Sequence, residues 1–105
     1  MPERRKHTRV SESIACELGW ASRRVTTKAV NLSCGGVLCA LPEPIPPMTK
    51  LEVNLELPSL RWVRCVGVVV RQDPITFQTA IYFSEIHPED RRRLGEFILQ
   101  SMLRC

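Results

Sequence analysis

Long apolar runs are missing from this 105-residue sequence. No stretch approaches the roughly 20 consecutive apolar residues that cross a bilayer as a helix. The charged opening, MPERRKHTRV, has no apolar h-region behind it, so it does not read as a secretory signal and a cytoplasmic protein is expected. Histidine is limited to His7 and His87, neither with a neighbouring ligand set. The five cysteines are odd in number and widely spaced, and no C-x-x-C occurs, which argues against a zinc site or a disulfide framework. Catalytic signatures are absent too: there is no G-x-S-x-G elbow, no G-x-x-x-x-G-K-[ST] and no G-x-G-x-x-G. No enzyme is indicated, and neither a metal nor a cofactor is expected. Aromatic residues make up only 6% of the chain, and Trp20, Trp62, Tyr82 and the three Phe fall mostly in core-like registers. A barrel that binds single-stranded nucleic acid interleaves exposed aromatics with basic residues, so nucleic acid is a poor candidate partner.

What is present has an ordinary globular balance, 44% hydrophobic and 25% charged, in a length that suits a single domain. The formal net charge is +4, and twelve of the fifteen cationic residues are Arg. Arg offers a planar, permanently charged fork that matches phosphates and the Hoogsteen edge of guanine. Arg4, Arg5, Lys6 and Arg9 lie within the first nine residues, so residues 1–12 read as a mobile basic arm ahead of a domain over residues 13–105.

Within that domain the pattern is β up to residue 86. Ser13–Trp20 and Arg23–Asn31 are strands joined by a turn near Ala21-Ser22, and Gly35-Gly36 opens a short apolar strand, Val37–Leu41. Four prolines in the six residues Pro42–Pro47 exclude a helix or a ladder partner. Lys50–Leu57 alternates strictly, with Leu51, Val53, Leu55 and Leu57 facing in. Leu60–Gln72 is apolar on both faces from Cys65 to Val70, so part of it is expected to be covered on both sides. Thr76–Phe83 is the last strand, after a turn at Asp73-Pro74. Six strands at this spacing predict an antiparallel β-barrel, whose closure removes exposed edges. Cys16, Cys39 and Cys65 sit in apolar runs and read as small buried hydrophobes. The period then changes. Pro88, Glu89 and Asp90 open a helix of about residues 88–103, with Leu94, Phe97, Ile98 and Met102 on one stripe expected to dock on the barrel.

Two polar segments stand out. Arg5-x-x-x-Arg9 puts two guanidinium groups on one side of the arm, with Cα atoms about 13 Å apart if extended and about 6 Å if coiled. Asn31-x-Ser33-x-x-Gly36 lies where one strand ends and another begins. Its Asn and Ser can fix a turn or hydrogen-bond a ligand, and Gly35 and Gly36 permit φ > 0 and a close approach of backbone to phosphate or base.

In that order, R-x-x-x-R and then [DN]-x-S-x-x-G, the two segments resemble the signature of PilZ domains, bacterial receptors for cyclic di-GMP. Val66–Arg71 is similar to that family's G-x-V-V-R strand, Ala80-Ile81-Tyr82-Phe83 to its late strand ending in Phe, and Pro88–Leu94 to the opening of its C-terminal helix. The resemblance covers residues 3–103. It implies a six-stranded barrel with a packed helix, the architecture that periodicity suggests on its own. It also implies that Arg5, Arg9, Asn31, Ser33 and Gly36 bind cyclic di-GMP, with Arg4, Gly35, Trp62 and Arg71 as further contacts. Asn31 stands where Asp is commoner, which removes a carboxylate acceptor, and Ala80 where many members carry Gly. On this reading the nucleotide orders the arm, and the resulting surface signals to a downstream partner protein. The rival is a PilZ-like interaction module that binds no nucleotide.

Overall fold

The structure is a computed structural model that describes residues 14–58 and 61–103. Six strands appear in chain order: β1 (Ala15–Trp20), β2 (Arg23–Leu32), β3 (Gly36–Ala40), β4 (Lys50–Leu57), β5 (Arg61–Gln72) and β6 (Gln78–Ile86), followed by helix α1 (Pro88–Leu103). They close into a barrel in the order β1-β2-β3-β6-β5-β4, every neighbouring pair antiparallel. Closure comes from β4 pairing back onto β1, from Ala15 opposite Glu56 to Gly19 opposite Glu52. The expected barrel and helix are therefore both present.

Alternation decides the core. In β4, Leu51, Val53, Leu55 and Leu57 are all 3% exposed or less, while Lys50 and Glu52 point to solvent. Cys16, Leu18, Val37, Cys39, Val63, Val69, Ile81 and Phe83 join them from the other strands. Cys65 completes the set of buried thiols expected from the sequence, and burial, with the charge of Asp90 added, pushes its pKa up to about 12.

One element departs from the sequence reading. The last strand begins at Gln78 rather than Thr76 and runs on to Ile86. The Asp73 carboxylate accepts the backbone N–H of Ile75 (2.8 Å) and of Thr76 (3.1 Å), and Phe77 takes a positive φ of 61°, so the turn consumes residues that looked like strand. The outer face of β5 is covered only in part. Val66 and Val68 are half-buried, but Val70 is 52% exposed.

Helix α1 behaves as its stripe requires. Leu94 and Ile98 are buried in the barrel's own core cluster, and Phe97 and Met102 pack against it. The helix seats on β5, where the Arg93 guanidinium reaches the Trp62 carbonyl at 3.5 Å. Glu89 and Asp90 sit in the first turn, where the helix dipole favours acids. Arg92 bridges Glu89 and Glu96 on the solvent side.

Candidate functional site

The barrel wall is regular except where the ladder slips by one residue. Between β2 and β3, Ala29 faces Cys39 and Asn31 faces Leu38, so Val30 is an extra residue. Between β5 and β6, Val69 faces Ile81 and Arg71 faces Ala80, so Val70 is extra as well. A third slip leaves Ser84 unpaired, its hydroxyl donating to the Val66 carbonyl at 3.2 Å. A bulge places two consecutive residues opposite one, which breaks the strict inside–outside alternation of the strand. Here it gives Val69 in, Val70 and Arg71 out, and Gln72 turned inward to Thr79 Oγ1 at 2.9 Å. Likewise Leu32 is buried at 1% exposure, while Val30 and Asn31 both lie on the outer side.

These slips align one lateral row across four strands: Asn31 on β2, Leu38 on β3, Ala80 on β6 and Arg71 on β5. Three strand spacings separate its ends, about 14 Å along the wall. Asn31 and Arg71 make no side-chain hydrogen bond or ion pair among the described residues, so both ends present unspent polar groups. Between them Leu38 and Ala80 form a low apolar floor. The row runs along a groove of about 440 Å³ whose walls also include Ser33, Gly35, Gly36, Val70 and Tyr82. Polar groups at the rim of an apolar concavity are the usual composition of a small-ligand site.

The Ser33–Gly36 turn closes one side of the groove. Ser33 N–H donates to the Gly36 carbonyl at 3.0 Å, and its hydroxyl accepts the Gly35 N–H at 3.3 Å. That hydroxyl holds the turn itself. Neither glycine uses a positive φ, which the sequence had offered as a reason for the pair. Gly36 serves a close approach instead: a Cβ there would collide with the Ile81 carbonyl oxygen of β6. A Cβ at Gly35 would meet nothing within 4 Å.

Of the residues singled out from the sequence, Asn31, Ser33, Gly35, Gly36 and Arg71 come together in the groove. Trp62 does not: it lies near the start of β5, opposite Glu56 and beside the N-terminal part of α1, about 30 Å of strand away from Arg71. Arg4, Arg5 and Arg9 lie outside the described residues. The sequence reading missed Tyr82 and Val70. Tyr82 was grouped with core-like aromatics, yet it is 56% exposed. The available signal was the alternation Ile81–Tyr82–Phe83, which turns the middle residue outward once its neighbours are buried. A second concavity, about 500 Å³, lies at the β1–β2 hairpin around Trp20, Arg23, Arg24 and Lys50. Its cations are already engaged: Arg23 with Glu43, Arg24 with Glu52 and Lys50 with Glu85. The smaller groove, whose Arg71 and Asn31 have no side-chain partner among the described residues, is the better candidate. Among the described residues no cluster of His, Cys, Asp or Glu could hold a metal ion, and no helix is long and apolar enough to cross a membrane.

Comparison with known proteins agrees with this architecture. Among curated proteins no sequence matches the chain. Among solved structures it superposes on the Bacillus subtilis inhibitor of motility, MotI/DgrA, with a TM-score of 0.78 at 22% identity, covering 97% of this chain and 53% of that one. K. pneumonia MrkH in its apo state gives 0.77 at 18% identity, covering 99% of this chain and 53% of that one. The chain thus spans about half the length of both proteins. The PilZ domain of Escherichia coli YcgR, solved with c-di-GMP, gives 0.70 at 12% identity over 92% of this chain and 88% of that one. Identities this low establish a shared fold. The model of the PilZ domain family matches residues 3–100, nearly the whole chain, and with the closed six-stranded barrel and its C-terminal helix it places this protein in the PilZ domain family.

Proposed function

We propose that the chain is a cytoplasmic cyclic di-GMP receptor without enzymatic activity, and that the groove between Asn31 and Arg71 is its nucleotide site. The observation that carries this reading is the bulge-aligned row with an amide at one end and a guanidinium at the other, neither engaged by a side-chain partner among the described residues. About 14 Å of low apolar floor between two polar ends suits a flat dinucleotide with bases at its periphery and phosphates near its centre. Arg71 would take a guanine edge or a phosphate oxygen, Asn31 would hydrogen-bond a base edge, and the Ser33–Gly36 turn would shape the wall. Arg5 and Arg9, with Arg4 beside them, would close over the nucleotide from the arm of residues 1–12. Charge-assisted bonds of this kind are roughly twice as strong as neutral ones. The PilZ domain of YcgR, solved with c-di-GMP, has the same fold, which supports the choice of ligand. The product of binding is then a new surface, part nucleotide and part arm, for a downstream protein to recognise.

Calorimetric titration of the chain with cyclic di-GMP tests this directly. The native protein is expected to bind; Arg5→Ala and Arg9→Ala are each expected to weaken binding by about ten-fold or more, the usual cost of losing a charge-assisted hydrogen bond, and Asn31→Ala by about two- to ten-fold, the cost of losing a neutral one. Absence of any heat with the native chain would refute the receptor reading and favour an interaction module that binds no nucleotide.

A further inference from the structure

We infer that Tyr82 is the stacking platform for one purine base of the bound nucleotide. The inference rests on the groove being a nucleotide site and gives a ligand role to a residue that the sequence motifs placed only in the last strand. Tyr82 is the one aromatic residue among those lining the groove, and it is 56% exposed although it sits in the middle of a strand paired on both sides. Its surroundings keep it bare. Along β6 its same-face neighbours are Ala80 and Ser84, both small. Across β3 its partner is Gly36, which contributes no side chain and lies too close to β6 to accept one. Across β5 its partner is Val68, itself half-buried. No neighbouring residue large enough to cover the phenol is supplied by these positions, so the ring presents an open π-surface beside the apolar floor.

Arg71 adds the second element. Its cross-strand partner is Ala80, two residues from Tyr82 on the same face, which makes Arg71 and Tyr82 diagonal neighbours about 7–8 Å apart at the backbone. A base lying on the phenol would have its edge within reach of a guanidinium that has no other partner among the described residues. Stacking holds any base with a large π-face. The guanidinium then prefers a base with two acceptors on its Hoogsteen edge, which guanine has and adenine lacks. The pair is a purine subsite with a built-in bias to guanine.

The test uses the full chain, cyclic di-GMP and two variants. Tyr82→Phe keeps the ring and is expected to bind within about three-fold of the native protein. Tyr82→Ala removes it and is expected to bind about 5- to 150-fold more weakly, the span that follows from loss of one base–aromatic stack. Because the chain contains a single tyrosine, its ring protons can be followed without ambiguity by NMR, and stacking predicts an upfield shift on saturation. Cyclic di-UMP, with its smaller bases, is expected to bind more weakly than cyclic di-GMP to the native chain and to lose less on Tyr82→Ala. If the native protein binds cyclic di-GMP but Tyr82→Ala binds equally well, or the ring resonances stay in place, the stacking role is wrong while the receptor reading stands. If the native protein binds no nucleotide, both are wrong.

Discussion

Gly36 occupies the last position of the [DN]-x-S-x-x-G pattern, and the structure gives it a role independent of any ligand. A methyl group at position 36 would collide with the Ile81 carbonyl oxygen and stand 3.4 Å from the Tyr82 Cα, both backbone atoms of a strand held on two sides. No flexible side-chain end is available to give way, so β3 must move off β6. Two hydrogen bonds next to the clash are at risk: Phe83 N–H to the Gly35 carbonyl at 2.9 Å and Ser33 N–H to the Gly36 carbonyl at 3.0 Å. Overpacking of this kind costs about 1–3 kcal/mol, and a buried donor left unsatisfied about 1–3 kcal/mol more. Part of the second cost is avoided if the strand shifts as a unit. Gly36→Ala is therefore expected to destabilise the ligand-free protein by about 2–4 kcal/mol, a fall in melting temperature of about 10–20 °C for a domain of this size. Gly35→Ala is the control, because its Cβ would meet no atom within 4 Å. It should stay within about 0.5 kcal/mol of the native protein. Thermal and urea unfolding without nucleotide measure both. Equal stability of the two variants would sink the argument that Gly36 is required by barrel closure.

Three further expectations follow from the turns and the core. Ala21 turns the β1–β2 hairpin at φ 53°, in the left-handed region that costs a residue with a Cβ about 1 kcal/mol, so Ala21→Gly should leave stability unchanged or raise it by up to about 1 kcal/mol, read by urea unfolding. Cys34 is exposed while Cys16, Cys39 and Cys65 are buried; contact with the Cys39 thiol, together with burial, drives the pKa of Cys16 upward, and that of Cys65 is about 12. Thiol labelling of the native protein at about pH 8, followed by peptide mass spectrometry, should modify Cys34 rapidly and the three core cysteines only on unfolding. Asp73 holds the β5–β6 turn, and the backbone N–H groups of Ile75 and Thr76 lower its carboxyl pKa. A carboxylate whose pKa is lowered on folding stabilises above its unfolded value, about 3.9, and loses that contribution as pH falls through its folded value. The stability gap between the native protein and Asp73→Ala should be constant at neutral pH and shrink below about pH 4 in urea titrations, and a gap that widens there would contradict the assignment.

Much of the fold was legible because the information is local. In Lys50–Leu57 every second residue is apolar, and a strand cannot bury that set except by facing it inward, so the element, its ends and its buried face all follow from the sequence. The same holds for Pro88–Leu103, where acids near the start and an apolar stripe at helical spacing leave one way to lie on the barrel. The turn at Asp73–Phe77 was less legible, because Thr76 and Phe77 have strand-forming side chains and only the capping carboxylate reveals the turn. The paired glycines were legible as a turn but not in their reason, since the collision at Gly36 involves a strand more than forty residues further on.

The sequence by itself determined a closed β-barrel with a docked helix, because alternation, turn chemistry and helical period act over a few neighbouring residues. It also marked Asn31–Gly36 as a candidate site segment, through short polar side chains beside two glycines. Only the tertiary structure decided what faces that segment. Extra residues at Val30 and Val70 interrupt two strands, and neither Ala29-Val30-Asn31 nor a run of valines shows where a ladder will slip. Register depends on the partner strand, and the partners of β3 are β2 on one side and β6, distant in sequence, on the other. That pairing turned Arg71 outward at the far end of the row from Asn31, left Trp62 far along β5, and exposed Tyr82 between Gly36 and Val68.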